Sequence, residues 1–128
     1  MSAERIERIP SPTFPGISDS VRVSAGDLLF VSGAIGFEED GSIPVDFARA
    51  VELTLRELER ALHSGGAEFA DVVRVSVYVT QLDDERLRVF REVRDRIMDL
   101  EHPPASSLIG VQSLVRGATV EVDAIATL

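Results

Sequence analysis

Residues 104–126, PASSLIGVQSLVRGATVEVDAIA, decide the fold that this sequence predicts. The stretch contains two apolar runs on either side of a short turn, and Arg116-Gly117 lies within that turn. Glycine readily adopts the positive φ that tight hairpin turns require, so the pattern predicts two strands joined as a β-hairpin. The chain is therefore expected to close on a pair of neighbouring strands.

The second of these strands has two chemically different faces. Small apolar residues alternate there with polar ones, which places Glu121 and Asp123 on one face, about 7 Å apart along the strand. Two acids in this pattern indicate either a strand that simply faces solvent or a wet cleft that both carboxylates line. The spacing alone leaves both alternatives open.

Three earlier segments also have the pattern of strands, at residues 21–23, 28–33 and 71–80. The second has a continuous apolar run over residues 28–31, which suggests that both of its faces are covered. Gly33 at its end indicates either a close approach of backbone or ligand, or a simple bulge. Residues 1–16 are expected to form an irregular arm, because residues 1–20 hold three of the six prolines and no periodic pattern.

Two segments have the 3.6-residue spacing of amphipathic helices, at residues 46–63 and 83–99. The first ends at Gly65-Gly66, which is typical of a helix C-terminal cap. A phosphate-binding glycine loop would instead precede a helix, so this pair does not predict a nucleotide site. The second helix starts with three acidic residues, which favour the positive end of the helix dipole.

The resulting order, β-β-α-β-α-β-β, predicts one α+β domain over residues 1–128, with two helices on one face of a mixed sheet of five or more strands. The other face, with Tyr78, Ile125 and Leu108, would stay wet and partly apolar unless something covered it. Because the sequence holds no third layer, self-association is the expected cover.

The composition of the chain disfavours several classes of function. The formal net charge is −9 and all thirteen basic residues are arginine, which disfavours binding to nucleic acids or anionic membranes. No apolar run approaches 18 residues and the start lacks a signal peptide, so a cytoplasmic protein without a membrane span is expected. Without cysteine, and with only His63 and His102, the sequence predicts neither a metal site nor a thiol nucleophile. No cofactor is expected.

Three blocks of the chain resemble the RidA family, also called the YjgF family. They are GDLLFVSG at residues 26–33, ADVVRVSVYVT at residues 70–80 and VEVDAIA at residues 120–126. The resemblance extends over nearly the whole chain from about residue 17. It implies a chorismate-mutase-like fold and a homotrimer whose sheets form an inner barrel, with three small-molecule clefts between the subunits.

The resemblance also implies a chemistry. Active members hydrolyse enamines and imines, such as 2-aminoacrylate and its imine, to 2-keto acids and ammonia. A glutamate in the last strand positions water or moves protons, and Glu121 matches it. An arginine after Pro-Ala holds the substrate carboxylate, but that position is Ser106 here. The family's early aromatic residue is Ile17, and its asparagine in the second helix is Val89 or Phe90.

The exchange at position 106 affects the expected substrate. A serine hydroxyl cannot replace the bidentate ion pair between a guanidinium and a carboxylate. Ordinary 2-imino acid deaminase activity is therefore not expected unless Arg22, Arg74 or Arg116 reaches the cleft. The hydroxyls of Ser106 and Ser107 either donate hydrogen bonds to a ligand or fill the room that a smaller side chain leaves. His102 is a candidate for the rim of the cleft.

Two main hypotheses result. The first is a divergent RidA-like hydrolase of imine- or enamine-type metabolites, with Glu121 as the catalytic acid and base. The second is a non-catalytic trimer that binds a metabolite or a partner protein. Ribonuclease activity, which is sometimes attached to this family, is disfavoured by the acidic charge balance. The residues expected to bind the small molecule are Ile17, Ser32, Gly33, Ser106 and Leu108.

Overall fold

The computed structural model describes residues 5–128. Its elements are β1 (Ile6–Pro10), β2 (Ser18–Val23), β3 (Leu28–Ala34), α1 (Phe47–Ser64), β4 (Val72–Thr80), α2 (Asp84–Ile97), β5 (Ala105–Val111) and β6 (Val120–Thr127). The six strands form one sheet in the order β1-β2-β5-β4-β6-β3, with both parallel and antiparallel pairs. The predicted α+β fold class, with two helices on a mixed sheet, is confirmed.

Both helices begin at an aspartate that accepts a hydrogen bond from a free backbone amide. The Asp46 carboxylate accepts from the Arg49 amide at 3.0 Å, and the Asp83 carboxylate accepts from the Arg86 amide at 2.8 Å. One stripe of each helix packs against the same face of the sheet. No helix within residues 5–128 is long and apolar enough to cross a membrane. The largest fully buried apolar side chains of the core are Val51, Leu55, Leu58, Leu62, Val72, Val77, Val79, Val93, Val120 and Val122.

The expectation of an irregular arm over residues 1–16 is wrong for part of that range. Residues 6–10 form β1, which pairs antiparallel with β2 from Ile6, opposite Val23, onwards. The Arg8 guanidinium fastens this strand by donating to the carbonyls of Ala70 at 2.7 Å, Pro103 at 2.9 Å and Val72 at 3.1 Å. The partners in these contacts are distant from Arg8 in sequence, so local periodicity does not predict the strand. The first four residues of the predicted arm lie outside the described residues.

The predicted hairpin at the C-terminus is also wrong, although both of its strands exist. Strand β4 lies between β5 and β6, parallel to the first and antiparallel to the second. Arg116 and Gly117 do turn the chain, with φ values of 59° and 74°. The eight residues 112–119 are long enough to cross over one intervening strand, so turn chemistry alone did not specify direct pairing.

The second face of the sheet carries no helix anywhere in the described part of the chain. Tyr78 and Ile125 lie on this uncovered face, as the strand alternation predicts. Phe30 of β3, paired with Ile125, is 70% exposed there. The prediction that both faces of this strand are covered is therefore wrong for the single chain, in which β3 is an edge strand with one open face. Leu108 does not lie on this face: it pairs with Val77 and packs against the core on the helix side. The prediction for Leu108 placed β5 one residue out of register.

Candidate functional site

Glu121 stands on the uncovered face beside Gly33, and we call Glu121, Gly33 and the adjacent Ser32 the acid half-site. Glu121 lies opposite Tyr78 in the pairing of β6 with β4. Strand β3 flanks β6 on the other side, and its register shifts between Val31 and Ala34, which makes Gly33 part of a bulge. A Cβ atom on Gly33 would overlap Glu121 Oε2, so the glycine leaves the space that the carboxylate occupies.

The two acids of β6 have different surroundings. The Tyr78 hydroxyl donates to Asp123 Oδ2 at 3.3 Å, which gives Asp123 a structural partner. Glu121 accepts no hydrogen bond from any residue in the range 5–128, although it is half-buried. Since proton transfer requires a carboxylate with free lone pairs, Glu121 is the better candidate for an acid or base.

Replacing Gly33 by alanine is expected to displace the Glu121 carboxylate and so to lower, by about 10–100-fold, the imine hydrolysis that the resemblance implies. The melting temperature should change little, because the overlapping atoms end a flexible side chain. The matched control is Gly65→Ala, whose new Cβ would meet the end of the Leu29 side chain instead. Steady-state kinetics and thermal melts compare the two. Equal rates in Gly33→Ala and the unmodified protein would contradict the assigned position of Glu121.

A groove of about 480 Å³ lies between β5, α2 and the segment at residues 14–17, and we call it the β5 groove. Ser106 and Leu108 line it because both point to the helix side of β5, opposite Val75 and Val77. Ile17 lines it from the segment before β2. Its other lining residues are Phe14, Pro15, Leu82, Leu87, Phe90, Arg91, Arg94, Ser107 and Ile109.

The predicted site residues thus form two groups in one chain. Glu121, Gly33 and Ser32 belong to the acid half-site, whereas Ser106, Ile17 and Leu108 line the β5 groove. Glu121 and Ser106 lie on strands separated by β4, about 10 Å apart, and on opposite faces of the sheet. A small ligand therefore cannot contact both groups within a single copy of the chain.

The arginines suggested by the sequence do not enter the β5 groove. Arg22 is exposed on β2, and Arg74 donates to the Ser107 hydroxyl at 2.9 Å. Arg116 stacks on the Phe37 ring at 4.6 Å. Sequence reasoning missed Arg94, which is buried and lines the groove. The signal was available, since Arg94 follows Phe90 by four residues and so shares its buried stripe.

His102 is absent from the residues that line the β5 groove within the described range. Its Nδ1 lies 2.8 Å from Asp99 Oδ2, and this hydrogen bond is the largest cause that lowers the pKa of Asp99. No group of three or more potential metal ligands occurs in residues 5–128. The arrangement therefore offers a lone carboxylate, hydroxyls and arginines, which suit proton transfer and anion binding.

A small domain with two helices on one face of a mixed six-stranded sheet belongs to the chorismate-mutase-like α+β class. The family model described as Endoribonuclease L-PSP matches residues 16–128. The chain belongs to this family, which contains the RidA (YjgF) proteins.

Similar proteins agree with this assignment. RutC family protein YjgH from Escherichia coli K12 is 31% identical over 109 residues, which cover 85% of this chain and 82% of that protein. The crystal structure of the Rid family protein YyfB from Yersinia pestis is similar with a TM-score of 0.83 and 27% identity, covering 98% of this chain and 100% of that chain. A relative from Dermatophagoides farinae is named 2-iminobutanoate/2-iminopropanoate deaminase. It is 25% identical over 132 residues, which cover 100% of this chain and 99% of that protein.

Proposed function

We propose that this protein is a cytoplasmic, homotrimeric hydrolase of imine- and enamine-type metabolites, with its sites between subunits. The observation that carries the proposal is the unpartnered Glu121 carboxylate on a sheet face that no other layer of the described chain covers. Packing that face against a sister copy would bury Phe30 and Ile125. It would also bring Glu121 of one copy to the edge of another copy's β5 groove, where Ser107 and Ile109 lie on the uncovered face.

The chemistry requires one water molecule and one group that moves protons. Water adds to the carbon of the C=N bond while the Glu121 carboxylate accepts one proton from the water and returns it to the nitrogen, which forms a neutral carbinolamine. Glu121 then accepts the proton of the carbinolamine hydroxyl and passes it to the nitrogen, so that the C–N bond breaks, ammonia leaves and the C=O bond forms. An enamine first takes a proton on carbon and loses one from nitrogen to become the imine. The name of the mite relative, a deaminase of 2-imino acids, supports this reaction class for the present chain.

A second candidate is a non-catalytic trimer that binds a small metabolite or a partner protein. Ser106 favours it, because the family's carboxylate-holding arginine is missing at that position. This candidate keeps the same groove and the same assembly. It differs only in the absence of turnover.

Ammonia release from freshly generated 2-iminobutanoate and 2-aminoacrylate separates the two candidates. Ser106 replaces the family's arginine and none of the three arginines suggested by the sequence enters the groove, but Arg94 does line it. We therefore expect the purified protein to raise the rate of release above that of the uncatalysed reaction in the same buffer. A rate equal to the uncatalysed one would overturn the hydrolase. Thermal stabilisation by added small metabolites without turnover would then establish the binding protein.

A further inference from the structure

The β5 groove has an unusual charge for this chain. The whole sequence carries 22 acidic and 13 basic side chains, yet the groove lining within residues 5–128 includes Arg91 and Arg94 and no carboxylate. The Ser106 hydroxyl lies in the same lining. A positively charged groove with hydroxyl donors in an acidic protein points to a small anionic ligand.

Arg94 is the more deeply placed of these two arginines. It is only 9% exposed, whereas long basic side chains normally keep their charge in water. The Arg94 Nε donates to Asp95 Oδ1 at 3.0 Å, and Nη2 lies 2.9 Å from the same oxygen. The Asp95 side chain is itself 44% exposed, so it can turn away into solvent.

Some N–H donors of the Arg94 guanidinium have no acceptor within residues 5–128. Within residues 5–128 its only other acceptor is the Pro15 carbonyl, at 3.5 Å from Nη2, and Nη1 has no acceptor. A guanidinium carries five N–H donors in a fixed plane. Nη1 is not among the fully buried side-chain atoms without a partner, so it keeps access to the solvent in the groove. The unfilled donors of a buried cation are suited to the two oxygens of a carboxylate.

Gly16 holds the guanidinium in place. A Cβ atom on Gly16 would overlap Nη2 and Cζ of Arg94, and the φ of Gly16 is +77°, a conformation that favours glycine. The guanidinium of Arg94 therefore packs directly against the backbone that precedes β2. A group fixed in this way loses little freedom when a ligand binds.

We propose that Arg94 is the specificity-determining anchor of the β5 groove and binds the carboxylate of a small organic acid there. The inference deepens the proposed function, on which it rests for the use of this groove, and it moves acid selection from β5 to α2. Asp95 then acts as an internal competitor that the ligand carboxylate displaces. Arg91, less buried and nearer solvent, adds charge at the groove without that contact.

The competing explanation is that Arg94 is only a structural clip between α2 and residues 15–16. The two explanations predict different effects of Asp95→Asn on the binding of the acid. If Arg94 binds a carboxylate, removing its competitor should tighten binding of the acid. If Arg94 is only a clip, loss of the Asp95 charge should leave binding unchanged.

The test is calorimetric titration of the full-length protein with sodium 2-oxobutanoate, and with uncharged butanone as the matched ligand. We expect Asp95→Asn to tighten 2-oxobutanoate binding by roughly twofold or more, and Arg94→Gln to weaken it by about tenfold or more. The comparison variant Arg91→Gln should weaken binding less than Arg94→Gln. Butanone should bind more weakly than the acid and should not distinguish the variants.

The inference is overturned if Asp95→Asn fails to tighten acid binding, or if butanone binds as well as the acid. Should Arg94→Gln fail to fold, the conservative Asp95→Asn variant still decides. Binding is measured without turnover, so the outcome is separate from that of the ammonia assay. Arg94-dependent binding without ammonia release would overturn the hydrolase and leave the anchor standing.

Discussion

Glu121→Gln is expected to lower the rate of ammonia release by about 10²–10⁴-fold, the usual loss when a general acid or base is removed. Glutamine keeps the size and the polarity of the side chain but cannot accept the proton of the attacking water. The Glu121 carboxylate has no hydrogen-bond partner among residues 5–128, so its loss breaks no recorded contact of the fold. The melting temperature and the oligomeric state should therefore stay as they are.

Asp123→Asn is the matched control for this substitution. It removes the other carboxylate of β6, two residues away on the same face. An asparagine oxygen can still accept the bond from the Tyr78 hydroxyl, so only a small change in rate is expected. Measured rates that fall equally in both variants would contradict the division of the two acids. An unchanged rate in Glu121→Gln would remove the mechanism altogether.

Leu58→Ala is expected to destabilise the protein by about 2–5 kcal/mol, the largest effect on stability that we predict. Leu58 lies in α1, is fully buried and belongs to the core between the helices and the sheet. Alanine would lose the transfer free energy of the removed carbons and would leave a cavity that the packed core closes only in part. The melting temperature should fall by roughly 10 °C.

Val45→Ala is the control for this loss, since Val45 is fully exposed in the single chain. Its stability should stay within about 0.5 kcal/mol of the original protein. Both variants must be compared at the same protein concentration, because association shifts apparent stability by mass action. Similar melting temperatures for Leu58→Ala and Val45→Ala would contradict the assigned core.

The local periodicity of the sequence was sufficient for the helices and for β4. The apolar stripe of α1 and the alternating valines of β4 each mark one buried face of the element. Such a face can be recognised from the spacing of apolar residues along the sequence. Strand β1 could not be found in this way, because the Arg8 guanidinium holds it through carbonyls more than 60 residues away. Strands β5 and β6 both pair with β4, which is distant from them in sequence. The turn at Arg116 and Gly117 is compatible with this pairing and also with a direct hairpin of β5 and β6.

Part of the candidate site was predictable from the sequence, and the rest depended on strand register and on packing between distant residues. Glu121 followed from the family resemblance, and its neighbour Gly33 stood at a strand end where close approach was one of two alternatives. The placement of Leu108 depended on strand register, in which a shift by one residue exchanges the faces. Arg94 was missed because an arginine on a helix is usually a solvated surface charge. Its position four residues after Phe90, on the buried stripe of α2, was the available signal. The packing of α2 against Gly16 shows the burial directly.

Sedimentation equilibrium at micromolar concentration tests most directly whether sister copies complete the site. The uncovered sheet face and the separation of Glu121 from the β5 groove predict a particle of about three times the 13.9 kDa mass of one chain. A trimer that persists on dilution through this range is the expected result. A stable monomer would leave Glu121 facing water on one side of the sheet and the groove on the other, and would contradict the account.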